Sequence, residues 1–201
     1  MARSILLIST AIAALAACQT TAAPQRHIVE TREARVDGIN PAAIAIWEVM
    51  NGAAAEGGEL DLTRMEDDDW AQLRESARML EDYSRMLAGA DGYVAGGPNL
   101  VGSEIPEGVA TRAEIQAMID SDPEGFRAVS RDLAERSRLL LVAAQKRDPA
   151  AGHRAAEIDR PCQSCHNRYW YKQDRRGAPE WVTIRPQLII GPKSLTQGAS
   201  L

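Results

Sequence analysis

The stretch Cys162-Gln163-Ser164-Cys165-His166 constrains this chain more than any other. Two thiols three residues apart, with an imidazole directly after the second, make the spacing C-x-x-C-H. On a helix Cys162 and Cys165 share a face, and His166 lies one turn on from Cys162. Both thiols then reach the vinyl groups of one porphyrin while the imidazole reaches its iron, so the spacing reads as covalent attachment of a c-type haem. Three blander readings compete. A Cys162–Cys165 disulfide suits an oxidising compartment, but a helical i,i+3 pair is a poor disulfide frame. A zinc site needs more ligands, and the chain offers only His153 and His27 besides. A thioredoxin-like redox pair wants a βαβ setting, and nothing upstream reads as a strand.

With 201 residues, 45% of them apolar and 25% charged, the chain can build one domain with a proper core, and disorder of the body is not expected. A formal charge of −5 without any Lys/Arg block argues against a nucleic-acid partner. Acidity suits a redox partner protein with a basic docking face. No acid/base pair or activated nucleophile stands out, so an enzyme is not expected.

The first 17 residues are read apart from the fold. Arg3 precedes an apolar run, Ile5 to Ala17, that is too short and too rich in small residues for a transmembrane helix and has the pattern of a secretory signal. Its end, Leu15-Ala16-Ala17-Cys18, resembles the lipobox of bacterial lipoproteins. That resemblance implies a lipidated Cys18 as the first mature residue; ordinary cleavage nearby, with Cys18 discarded, is the alternative. Gln19 in place of aspartate resembles the outer-membrane sorting pattern, which implies a periplasmic protein anchored by lipid to that membrane. The three cysteines are then all used, one acylated and two on haem.

Residues 18–35 read as a flexible tether, 36–176 as the folded domain and 177–201 as a tail. Asn40-Pro41 predicts a helix start, with Ile44, Trp47 and Met50 on its apolar stripe, fading near Gly57-Gly58. After Asp67-Asp68-Asp69, the residues Trp70, Leu73, Ala77, Leu80, Ser84 and Leu87 recur at threes and fours, the seam of a packed helix that Gly89 ends. Glycines and prolines from Gly89 to Gly108 predict a long loop. Thr111 and Glu114 make a capping box for a short helix. Asp122-Pro123 opens a long one through Phe126, Val129, Leu133, Leu140 and Ala144. Asp148-Pro149 begins the last, in which Ile158, Cys162, Cys165 and Tyr169 form the core stripe and Pro161 forces a kink or a restart at the motif. The pattern is all-α, a four-helix bundle.

Four amphipathic helices with a late C-x-x-C-H resemble the class II cytochromes c, the cytochrome c prime group. The resemblance covers roughly residues 36–176, and its specific part is Cys162, Cys165 and His166 with Tyr169 after them. It implies one covalent haem c, thioethers from Cys162 and Cys165, and His166 as the proximal iron ligand. The family carries its sixth-position residue on the first helix, a Met in six-coordinate members and an apolar residue in five-coordinate ones. Met50 is the candidate distal ligand, against a competing reading as core filler, and Trp47, which cannot ligate, is a candidate pocket wall. Where the family usually has an Arg after the Tyr, this chain has Trp170. Members often dimerise through their first two helices, and the second-helix stripe permits a homodimer.

These readings make the chain a membrane-tethered electron carrier; the alternatives are a five-coordinate haem protein binding nitric oxide or carbon monoxide, and a haem-free structural lipoprotein. The anchor is open to a direct test. Cys18→Ser is expected to move the mature protein from the membrane fraction to the soluble one with haem content unchanged, because the tether separates anchor from domain; a variant that still pellets with membranes contradicts lipidation at Cys18.

Overall fold

The computed structural model describes residues 26–98 and 105–172. The signal, Cys18, Trp181 and the tail lie outside the described residues. The fold is mostly helical, and among the described residues no helix is long and apolar enough to cross a membrane.

The chain enters through β1 (Ile28–Glu30) and continues without a gap into α1 (Thr31–Ala34), a π-helical segment (Arg35–Ile39) and α2 (Asn40–Gly52). Asn40 is therefore not the N-cap its neighbour Pro41 suggests; the helix begins at Thr31 and runs through it. Pro41 lacks an N–H, and its ring crowds the carbonyl of the preceding turn. The π segment resolves this: the Asn40 N–H bonds the Arg35 carbonyl, which widens the ladder immediately before the proline. The helix also stops sooner than the glycine pair predicts. It ends at Gly52, and the chain turns back through an antiparallel bridge between Ala54 and Leu60.

The seam is seated as its period requires. In α3 (Asp67–Ala88) the residues Trp70, Leu73, Ala77, Leu80, Ser84 and Leu87 are all buried, and Asp69 accepts the Glu66 N–H at 2.8 Å at the helix start. Next comes β2 (Gly92–Val94), a strand inside the stretch expected to be loop. It pairs in parallel with β1, Val29 opposite Tyr93. Residues 28–35 thus belong to the folded body and not to a tether: Val29, Thr31 and Ala34 are buried. A strand of three residues is too short to show a period.

Thr111 accepts the Glu114 N–H and Glu114 accepts the Thr111 N–H, which starts α4 (Arg112–Ser121). Asp122 caps α5 (Pro123–Lys146) through the Gly125 N–H, and Arg147 ends it in the left-handed conformation at φ 51°. The last helix is two pieces, α6 (Ala151–Glu157) and α7 (Asp159–Tyr169), broken at Ile158. Pro161 then sits in the first turn of a new helix, where its missing N–H costs nothing.

α3 packs chiefly on α5 and next on α2. The apolar interior falls into two clusters. One holds Ile46, Met50, Trp70, Leu73, Leu80, Leu140 and Ile158, with Cys162 against it. The other holds Val29, Leu87, Tyr93, Ile115, Phe126 and Tyr169, with Cys165 and Trp170 against it. The motif lies where the two meet.

Gly38, in the π segment, is held to its type by close approach: a Cβ there would overlap the Tyr83 ring. Gly38→Ala is expected to lower unfolding stability by about 1–3 kcal/mol, as overpacking does. Urea denaturation measures it, and a variant within about 0.5 kcal/mol of the parent, the scatter of neutral surface changes, contradicts the contact.

Candidate functional site

Cys162, Cys165 and His166 line one cleft, whose empty space of about 610 Å³ includes its solvent-open mouth. The wall opposite α7 comes from three elements: Thr31, Arg35, Ile39 and Asn40 from the first helix, Ser84 and Leu87 from α3, and Phe126, Val129, Ser130 and Leu133 from α5. Pro161 and Trp170 bracket the motif. The restart at Ile158 sets the rotation of α7, and the i,i+3 spacing then turns both thiols to the same side.

The far end of α7 is fixed by Tyr169. Its ring meets Phe126 edge-on at 5.1 Å, and Phe126 meets Tyr93 in the same way at 4.7 Å; such pairs contribute about 0.5–1.5 kcal/mol each beyond burial. The Tyr169 hydroxyl donates to the Asp122 carboxylate at 2.8 Å, and Arg168 pairs with the same carboxylate at 2.5 Å. The Tyr169 hydrogen bond, first, holds the Asp122 carboxyl below its ordinary range. Gly125 leaves the room, since a Cβ there would lie 2.6 Å from the Tyr169 oxygen. Beyond the helix, the Ala110 N–H bonds the Trp170 carbonyl and the Lys172 N–H bonds that of Gly108, both at 3.0 Å.

The reactive groups are poised neutral. Both thiols are free, and burial pushes each up to about 12. Burial, and then the nearby Arg35 charge, lowers His166, so its imidazole is neutral and a nitrogen lone pair is available. Tyr171 stands edge-on to it at 5.9 Å. The hydroxyls that line the cleft donate elsewhere: Ser84 to the Leu80 carbonyl at 2.6 Å, Ser130 to that of Phe126 at 2.9 Å. The lining is mostly apolar; besides these hydroxyls and that of Thr31 its polar side chains are Asn40, His166 and Arg35. The Arg35 Nε is buried without a hydrogen-bond partner, while its guanidinium stacks 4.2 Å over the Trp170 ring.

This set fits a haem c. Two neutral thiols and an imidazole converge on an apolar cleft, and one cation in it lacks a counter-charge. It does not fit a structural zinc, because among the described residues no three His, Cys, Asp or Glu side chains are placed to hold a metal ion.

The other sequence candidates fall outside the cleft. Met50 is fully buried in the first cluster with Ile46, Leu73, Leu80 and Leu140 and is not among the residues that line the cleft. Trp47 does not line it either; its indole bonds Asp159. His153 is exposed beside Glu157, Trp70 packs in the first cluster, and His27 lies exposed at the start of the described chain, where its N–H bonds Asp91. Conversely, Arg35 and Ile39 are cleft residues that sequence reasoning missed. No periodicity signals them, because they sit in the π segment ahead of the apparent helix start. Comparison with family models, with curated proteins and with solved structures finds no match for this chain.

Asp159 gives this region a pH dependence. Burial, first, raises its carboxyl above the ordinary range, and the Trp47 hydrogen bond opposes this. With the folded value raised above the unfolded one, its contribution is intact in acid and is lost as pH rises through the folded value. Asp159→Asn keeps an acceptor for Trp47 and removes the charge. The variant is expected to gain on wild type as pH rises from about 4, the unfolded carboxylate value. Urea midpoints across a pH series check this; a difference that does not change with pH contradicts it.

Proposed function

We propose that the chain is an exported c-type cytochrome of the class II kind, a four-helix bundle carrying one covalent haem and serving as a one-electron carrier, tethered to the outer membrane through Cys18. The observation that carries this reading is the convergence of Cys162, Cys165 and His166 on one largely apolar cleft. When bound, the haem supplies a reversible Fe(III)/Fe(II) couple. Everything else falls to the chain. Cys162 and Cys165 would hold the ring to α7 through thioethers, and His166 would supply a nitrogen to the iron. Ile39, Leu87, Phe126 and Leu133 exclude water, which keeps the environment nearly unchanged when the iron changes charge. Tyr169 and Asp122 hold α7 still, and the acidic surface suits a basic partner.

A second reading has an observation of its own. Among the described residues the cleft lining includes no methionine and no histidine besides His166, so these residues offer no strong ligand for the sixth position. An open position binds nitric oxide or carbon monoxide, with an aliphatic wall around the gas.

Coexpression with haem-attachment machinery, then a denaturing gel stained for haem peroxidase activity, tests the first statement. The wild-type band is expected to stain, and Cys162→Ser/Cys165→Ser is expected not to. An unstained wild-type band of full size contradicts the cytochrome reading. His166→Ala is expected to retain some stain and to lose the wild-type iron spectrum; an unchanged spectrum assigns the ligand elsewhere. Carbon monoxide reports the sixth position: binding at a rate proportional to gas concentration is expected of the open position this lining leaves, and a concentration-independent plateau marks a ligand that must first leave.

A further inference from the structure

Large apolar side chains reach solvent at few places, and two of them share one small surface. Among the described residues they are Ile28, Val36, Ile44, Leu60 and Val94. Ile28 and Val94 belong to β1 and β2, whose register sets Ile28 beside Gly92 and Glu30 beside Val94. Side chains of a strand alternate between its faces. Val29 and Tyr93 therefore point into the second cluster, while Ile28 and Val94, 48% and 47% exposed, lie on the outer face. Gly92 leaves room there, since a Cβ on it would come within 2.9 Å of the Ile28 Cδ1. Arg26 and His27 are exposed just ahead of β1, and Glu30 shares the outer face with its side chain along Gly96. The same strand limits the chain that precedes it. Because β1 belongs to the body, seven residues, Gln19 to Gln25, separate Cys18 from Arg26. Their reach is about 25 Å at full extension, against about 60 Å for a tether that ran to residue 35. A body of this many residues is roughly 35–40 Å across. A link that short keeps the face through which the chain enters on the side of its anchor.

We propose that the outer face of the β1–β2 sheet rests on the phospholipid surface that holds the Cys18 anchor, with Ile28 and Val94 against it and Arg26 toward the headgroup phosphates. The proposal rests on the lipid-anchor reading above. Two aliphatic side chains bury too little area to hold a free protein on a bilayer. The anchor confines them to its surface, and a contact too weak between free partners forms at the high local concentration that a short link provides. The contact sets an orientation. Thr31 and Arg35 follow β1 directly and line the cleft, so the first-helix wall of the cleft is held near the membrane. The redox partner that reaches it is then one carried in or on the same membrane.

The experiment uses the full-length mature protein on vesicles of phosphatidylethanolamine and phosphatidylglycerol. A water-soluble diazirine photolabels exposed side chains, and mass spectrometry of the digest reads the label at each one. The Cys18→Ser chain in solution is the reference. Ile28 and Val94 are expected to take up several-fold less label on vesicles than in solution, while Ile44 and Leu60, exposed elsewhere on the body, keep theirs. Inserting about 20 Gly/Ser residues after Gln25 is expected to return much of the label, because a longer link dilutes the face against the surface. Ile28→Glu/Val94→Glu, both at exposed positions, is expected to return the label of the two strand peptides to its solution level. Equal labelling of Ile28 on vesicles and in solution overturns the proposal, and so does protection that survives the double substitution. Protection that grows with the density of protein on the vesicles marks a second copy of this chain as the occupant and overturns it also. A mature protein whose mass shows no acyl group at Cys18 refutes the underlying anchor reading instead, and the intact mass reveals that before any labelling.

Discussion

The hydrogen bond from Tyr169 to Asp122 is the contact on which the site depends. It ties the last turn of the motif helix to the first turn of α5, across 47 positions of sequence. Asp122 is at once the cap of α5, the acceptor for Tyr169 and the partner of Arg168. One carboxylate therefore sets where two helices begin and end relative to each other. With that end pinned, and the other end restarted at Ile158 ahead of Pro161, the thiols and imidazole can face only the gap between the two apolar clusters. Loss of the pin would leave α7 a short helix of weak intrinsic stability, because helices of that length depend on tertiary packing.

The electrostatics of the gap follow from its burial. Thiols and imidazole are held neutral, and the serine hydroxyls of the lining are satisfied within their own helices, so the lining resists charge. Against that background a lone guanidinium is costly. Its stack on Trp170 offsets part of the cost, about 0.5–2 kcal/mol for a cation over an aromatic face.

Much of this was legible from residues alone. The three-and-four spacing of Trp70 to Leu87 names the buried face of α3 because a long regular helix must repeat that way. Thr111 with Glu114 and Asp122 with Pro123 name two helix starts because capping chemistry is local. Cys162, Cys165 and His166 meet in one cleft, as C-x-x-C-H on a helix requires. What misled was also physical. Asn40-Pro41 mimics a helix start, and only a π turn, invisible to composition, carries the helix through it. That turn moved the cleft-facing positions of the first helix to Arg35 and Ile39 and left Met50 in the core. The strands β1 and β2 are held by pairing across the sequence, which no local window contains.

The central proposal is that the cleft holds a haem to which, among the described residues, His166 alone supplies a ligand. Electron paramagnetic resonance of the oxidised, full-length holoprotein tests it most directly, because spin state reports the number of strong axial ligands. The account predicts a high-spin ferric signal. A low-spin signal would show a second strong ligand, place a side chain in the cleft that this arrangement keeps out of it, and contradict the account.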